Sequence, residues 1–230
     1  VCTRDAEDRT RCRGALSGDA VLPGSLEVSD RAGCARADGR ATCLLPGGGA
    51  TSFATPFAAL VRGPGSPCGR TDAGEVWCFA DPAADEADAA LVALPFPAPV
   101  VALGADGERL LALGADRTLY AARPPGHGGG APTVVAAGVD ALASDGWTLA
   151  CWLLADEVAC TGAPGRWPRD GATRLAVGPG TVCAAGAAGV RCAGVDGDLG
   201  AGPVDELAVG AGFGCALRGG TVRCAGAAPP

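Results

Sequence analysis

The chain has 230 residues, among them 38 Gly, 18 Pro and 12 Cys, and its 18 basic residues are all Arg. The absence of Lys and Asn excludes Schiff-base and P-loop lysines and N-linked glycans, and a net charge of -7 excludes the basic face that a phosphate backbone needs. No run of about 18 apolar residues spans a membrane, and 4% aromatics leave a core of Ala, Val and Leu in thin, closely stacked elements.

Val1 cannot initiate translation, so the N-terminus is expected to be processed and any signal peptide removed. The first unit, about 1–24, opens directly on Cys2 and carries Cys12. The second, 25–57, begins with a short apolar strand, Leu26-Glu27-Val28, and then places Cys34 and Cys43 around Asp38-Gly39, a two-residue hairpin turn. The third, 58–99, has Leu60-Val61 and then Cys68 and Cys78. Its turn is one residue longer, and Asp72-Ala73-Gly74 puts Gly where a three-residue hairpin needs a left-handed backbone. Asp81, Asp85, Glu86 and Asp88 follow as an acidic insertion. Calcium demands six or more ordered oxygens, and this Ala-rich spacing reads instead as a solvated turn or short helix.

The fourth unit, 100–138, has no cysteine. Leu111 and Tyr120 stand in the cysteine places and are expected to face each other as an apolar cross-strand pair. This blade is expected to be the least protected against hydrogen exchange. His127 lies in a Gly- and Pro-rich loop, which preorganises a catalytic base poorly. The Gly47–Gly49 and Gly128–Gly130 runs lack the Lys-Ser/Thr of a phosphate cradle and read as loops. The fifth unit, 139–172, carries Cys151 and Cys160. The sixth, 173–203, carries Leu175, Cys183 and Cys192, with Asp196 and Asp198 read as solvated. The seventh, 204–230, carries Leu207, then Cys215 and Cys224 around Gly219-Gly220.

The positions 2, 34, 68, 111, 151, 183 and 215 thus recur every 32 to 43 residues, the mark of a repeat architecture. Zinc favours ligands two to four residues apart, whereas each cysteine pair here is separated by eight or nine residues. Six regular pairs read as disulfides formed in an oxidising compartment. In a two-residue hairpin Arg218 faces Thr221, so Cys215 faces Cys224 in a non-hydrogen-bonded pair, where side chains come closest. Each such loop contributes about 2.5–3 kcal/mol in the chain-entropy model. The fold expected is all-β: a seven-bladed β-propeller of short antiparallel blades, six with an intra-hairpin disulfide. An open stack of hairpins is the rival, because unit one lacks a leading strand and Ala225–Pro230 is too short and Pro-rich to lend one.

The segment Leu207-Ala-Val-Gly210-Ala-Gly-Phe-Gly-Cys215-Ala-Leu-Arg-Gly-Gly-Thr-Val-Arg-Cys224-Ala-Gly226 resembles a repeat of the regulator-of-chromosome-condensation propeller family, in particular its bacterial form with paired cysteines. Gly197-Asp198-Leu199-Gly200 is similar to that family's Gly-Gln-Leu-Gly loop. The resemblance is specific over roughly the last third of the chain and implies a seven-bladed propeller. It leaves function open, since this scaffold hosts exchange factors, inhibitors and secreted proteins.

No catalytic residue, metal or cofactor is expected, and the chain is read as a non-enzyme. Trp77 and Trp152 neighbour cysteines and read as packing. Trp147 and Phe213 fall in loops between leading strand and hairpin, and Arg166, Trp167 and Arg169 in an inter-unit loop. Trp and Arg together are what interface hot spots favour, so these five are the candidate partner-binding residues. The function expected is a secreted, disulfide-stabilised module that binds a protein, at the cell surface, outside the cell or in the periplasm. The rivals are a subunit of a self-assembling surface structure or filament and a carbohydrate-binding propeller. The latter would repeat an aromatic-plus-acid pocket in every blade, which these loops do not.

Overall fold

A computed structural model describes residues 2–4, 9–12, 21–23, 25–28, 33–37, 40–44, 50–53, 55–62, 67–79, 91–125, 128–162 and 165–227, with side chains at 41–43, 53, 55–61 and from 67 onward within those ranges. The acidic insertion at 81–88, His127 and Gly47–Gly49 lie outside the described residues. No α-helix occurs among those described.

The strands form seven separate antiparallel sheets that follow one another along the chain. The first holds β1 (Cys2–Arg4), β2 (Arg9–Cys12) and β3 (Val21–Pro23). The second holds β4 (Ser25–Val28), β5 (Gly33–Ala37), β6 (Arg40–Leu44) and β7 (Ala50–Phe53). The third holds β8 (Phe57–Arg62), β9 (Pro67–Thr71), β10 (Val76–Phe79) and β11 (Leu91–Leu94). The fourth holds β12 (Val100–Ala105), β13 (Leu110–Gly114), β14 (Thr118–Ala122) and β15 (Thr133–Ala137). The fifth holds β16 (Ala141–Ser144), β17 (Ala150–Leu153), β18 (Glu157–Cys160) and β19 (Arg166–Pro168). The sixth holds β20 (Ala172–Gly178), β21 (Thr181–Gly186) and β22 (Gly189–Ala193), and the seventh β23 (Glu206–Gly210), β24 (Phe213–Arg218) and β25 (Thr221–Gly226). Successive leading strands pack side by side, β4 on β8, then β12, β16, β20 and β23. This is a β-propeller of seven short blades.

The repeat is a repeat of register. The leading leucine pairs with the residue after the first cysteine place in six blades: Leu26 with Ala35, Leu60 with Gly69, Leu103 with Ala112, Leu142 with Trp152, Leu175 with Ala184 and Leu207 with Ala216. In blades three, four and six the leading strand starts with a bulge after a buried residue, Phe57, Val100 or Ala172. Such an extra residue bends the strand and increases its twist.

Disulfides join Cys68 to Cys78, Cys151 to Cys160, Cys183 to Cys192 and Cys215 to Cys224, each between paired hairpin strands. Their Cα separations of 4.0–4.1 Å are those of the close, non-hydrogen-bonded pair. Cys2 and Cys12, and Cys34 and Cys43, are Cα partners in the same way.

Alternation along each strand puts the cysteines on the face directed at the following blade, here called the forward face. Cys68 and Cys78 join Val76 and Leu94 in a core with Val100, Leu110, Ala112 and Ala122 of blade four. Cys151 and Cys183 face blades six and seven in the same manner. Cys43 lies in a cluster with Phe79, Leu60 and Leu91, with the Phe53 and Phe79 rings edge to face at 4.6 Å.

Blade four departs from the register expected for it. Leu111 pairs with Ala121, and Tyr120 pairs with Ala112. The cause is the turn: Ala115-Asp116-Arg117 is a three-residue loop with Arg117 at φ 63°, the counterpart of Asp72-Ala73-Gly74 with Gly74 at φ 83°. Both turns close with the same bond, Arg117 N–H to the Gly114 carbonyl and Gly74 N–H to the Thr71 carbonyl. Arg replaces Gly at the left-handed position, so composition disguises the turn. Tyr120 therefore points to the rear face, where its hydroxyl donates to Asp116 Oδ2 at 2.8 Å and its ring meets Phe96. That bond holds the Asp116 carboxyl below its ordinary range and pushes the Tyr120 hydroxyl up. All five residues of β13 are buried. Placing cysteines at 111 and 121 (L111C/A121C) should yield a seventh bridge by mass spectrometry, whereas L111C/Y120C should leave two thiols.

Two glycines explain the repeated Cys-Ala-Gly. Gly194 and Gly226 have φ of 79° and 100°, and a Cβ on either would lie 2.3 or 2.2 Å from the carbonyl oxygen of Gly180 or Gly212. Gly194→Ala should lower stability by at least about 2 kcal/mol in denaturant melts, since the clash is with backbone and the conformation is strained for any side chain.

Candidate partner-binding surface

Antiparallel strands send their connections alternately to the two ends of a blade. The loops joining leading strand to hairpin lie at one end, and the hairpin turns and inter-blade linkers at the other. Trp147 lies in the leading loop of blade five, between β16 and β17, and Phe213 begins β24 after the leading loop of blade seven. Arg169 lies in the linker at the opposite end, and Arg166 and Trp167 sit on the outermost strand, β19. The five candidate residues therefore do not gather into one patch.

Trp147 is the large aromatic presented to solvent, 47% exposed. Its loop is built rather than loose. Asp145 Oδ1 accepts the backbone N–H groups of Trp147, Thr148 and Leu149 at 2.7–3.0 Å, and the Thr148 hydroxyl donates to Asp145 Oδ2. Gly146 at φ 73° makes the turn. Blade four repeats the device: Asp106 Oδ1 accepts the Arg109 N–H at 3.0 Å, and Asp106 also pairs with the Arg109 guanidinium. The two loops abut, since a Cβ on Gly107 would come 2.9 Å from the Trp147 carbonyl. The Ser144 hydroxyl accepts the Ala105 N–H across the same boundary, and the Thr181 hydroxyl accepts the Gly212 N–H between blades six and seven.

The other four candidates are engaged within the chain. Trp167, opposite Val158, packs on the core between blades five and six beside Cys160. Arg169 is largely buried and donates to the Leu154 carbonyl at 2.8 Å. Arg166 is exposed and pairs with Glu157. The Phe213 ring lies against Gly210, where a Cβ would come 2.3 Å from it. Trp152 is buried between blades four and five, and Trp77 is partly buried. A cavity of about 690 Å³ at the turn end of blade five is lined by Gly138, Leu154, Asp156, Glu157, Arg166 and Pro168 among others.

Residues that the sequence did not single out organise the turn end. Asp140 bridges Arg117 of blade four and Arg169 of blade five, while its own N–H donates to the Leu153 carbonyl. Asp205 is its counterpart two blades on: its N–H donates to the Leu217 carbonyl, and its carboxylate accepts the Gly219 N–H. Each follows a buried valine, Val139 or Val204, and stands two residues before the leading leucine; that shared Val-Asp spacing was the available signal. The Arg169 hydrogen bond, with Arg117 nearby, holds the Asp140 carboxyl below its ordinary range. A carboxyl lowered on folding adds stability above its unfolded value, and this is lost as pH falls through the lowered one. Asp140→Asn should therefore melt below the wild type at pH 7, and the two curves should converge once the pH is well below about 4.

Among the described residues no group of three or more His, Cys, Asp or Glu is placed to hold a metal ion, and no helix is long and apolar enough to cross a membrane. No family model and no curated protein matches the sequence. Solved structures do. Prp20p of Saccharomyces cerevisiae, described with its binding to Gsp1p and histones, superposes with a TM-score of 0.54 at 15% identity, covering 75% of this chain and 57% of its own. Yeast RCC1 (Prp20) bound to Kap60 gives 0.55 at 14% identity, with 75% and 56% covered. The chain thus spans a little over half the length of these yeast proteins. The computationally designed Ika8 protein gives 0.57 at 14% identity, with 97% and 79% covered. At these identities the likeness is one of fold: the chain is a propeller of RCC1-like architecture.

Proposed function

We propose that the protein is a secreted or cell-surface binding module of the bacterial, cysteine-paired propeller kind, that it recognises a protein partner, and that it is not an enzyme. The single observation that carries the reading is Trp147, a half-exposed aromatic held on a loop that Asp145 fixes in place. A rigid Trp loses little entropy on binding, and such residues dominate interface energies. Four bridges within hairpins support an oxidising location. Asp145 and Asp205 cap backbone amides, and Glu157 and Asp140 pair with arginines. The test uses the purified protein as bait against extracellular proteins of its source. The Trp147→Ala bait should retain the captured partner at least about tenfold less well with an unchanged melting temperature. Equal capture by the variant would remove Trp147 from the interface and the reading with it.

A further inference from the structure

The outermost strand of blade four, β15 (Thr133–Ala137), leaves a sheet edge open. It ends its sheet, and among the described residues its backbone pairs only with β14. Such an edge carries a row of unpaired N–H and C=O groups, which proteins blunt with charge, proline or short length. The outer strands of the neighbouring blades show those devices. β19 is three residues long and holds Arg166 and Pro168, and β11 is four residues long and runs into Pro95. β15 has five residues, all uncharged and none of them proline. Thr133, Val134 and Ala137 are exposed, Val134 by 66%. Val135, the extra residue of a bulge, and Ala136 pack on the core against blade five, so the strand is anchored while its edge stays clear.

We infer that this edge takes an extended segment of another protein as a fifth strand of blade four, β-branched in its middle and basic at the end beside Ala137. Main-chain bonds to the edge supply affinity in such strand addition, and pockets for alternate side chains supply choice. The cavity of about 690 Å³ opens at the Ala137 end, between Ala137 and Gly138 of blade four and Leu154, Asp156 and Trp167 of blade five. Asp156 is exposed there. Glu157 pairs with Arg166, and Asp140 with Arg117 and Arg169, but Asp156 forms no ion pair among the described residues. A Lys or Arg entering the cavity neutralises it, on a chain whose net charge of -7 favours basic partners. Val134, exposed beside the edge, suits a β-branched neighbour across the new pair. The bulge argues against a second copy as the occupant. It bends β15, and a symmetric pair of β15 strands would carry two such bends where a foreign segment meets one. This surface lies at the rim and turn end of blade four, whereas Trp147 stands in a leading loop, so the inference does not rest on that residue.

The probe is a displayed library of random hexapeptides selected on the purified protein. Selected peptides should carry Val, Ile or Thr centrally and Lys or Arg at one end. Such a peptide, at saturation, should slow hydrogen exchange at the amides of 133–137 on the order of tenfold. N-methylation should abolish its binding at alternate residues only, because successive N–H groups of a strand point to opposite sides. Asp156→Lys, at an exposed position, should weaken binding at least about threefold without moving the melting temperature, and Trp147→Ala should leave it unchanged. The inference falls if no peptide is selected, if the bound peptide leaves 133–137 unprotected, or if N-methylation shows no alternation. Wild-type binding by Asp156→Lys, or loss of binding in Trp147→Ala, overturns it too. So does a protein that is dimeric without peptide and whose 133–137 amides are already slow, since a second copy would then hold the edge.

Discussion

Full reduction of the protein should abolish its cooperative thermal transition at temperatures where the oxidised protein is folded. Each described bridge closes a loop of nine or ten residues between paired strands, for which chain entropy gives about 2.5–3 kcal/mol. A domain's whole stability is about 5–15 kcal/mol, so losing several such terms together is decisive. The cores cannot compensate. The cluster between blades six and seven is built from Cys183, Ala185, Leu199, Val204 and Ala216, and Ala contributes little burial. Removing one bridge with the double substitution Cys183→Ser/Cys192→Ser should cost about 2–3 kcal/mol in a denaturant melt and leave the fold in place.

Leu111→Ala should cost about 2–5 kcal/mol, comparable to the loss of a bridge. Leu111 is fully buried and packs with Leu113, Leu119 and Ala121 against Val139, Ala150 and Trp152 of blade five. In the blade without cysteines this side chain holds the first cysteine place, so packing there does the work that a covalent link does elsewhere. A cost under about 1 kcal/mol would show that packing at Leu111 does not take the place of the bridge.

These expectations follow from features that the chain states openly. Cysteine spacing and the turn dipeptides Asp38-Gly39 and Gly219-Gly220 specify which strands pair and in what register, because side chains alternate with a period of two. The same reasoning missed blade four by one residue. A left-handed Arg117 is chemically indistinguishable from an ordinary turn arginine, and one extra loop residue exchanges the faces of the strand that follows. Blade five hid its leading strand in the same way, since its longer loop puts Leu142 nine residues before Cys151 although its register is that of the other blades.

The candidate surface was less legible. Trp167 and Arg169 are two residues apart in sequence, yet one packs in an inter-blade core and the other bonds to carbonyls and to Asp140. Composition alone could not divide them. What distinguishes Trp147 is Asp145-Gly146, which caps and turns its loop, a signal repeated at Asp106-Gly107 in the preceding blade. The Asp140 and Asp205 contacts likewise depend on linkers meeting hairpin turns, an adjacency that exists only once the blades are stacked.

Peptide mapping of the native, unreduced protein tests the account most directly. It predicts six links, each between cysteines nine or ten residues apart: Cys2–Cys12, Cys34–Cys43, Cys68–Cys78, Cys151–Cys160, Cys183–Cys192 and Cys215–Cys224. A link between cysteines of different blades, or free thiols in the native protein, would contradict it.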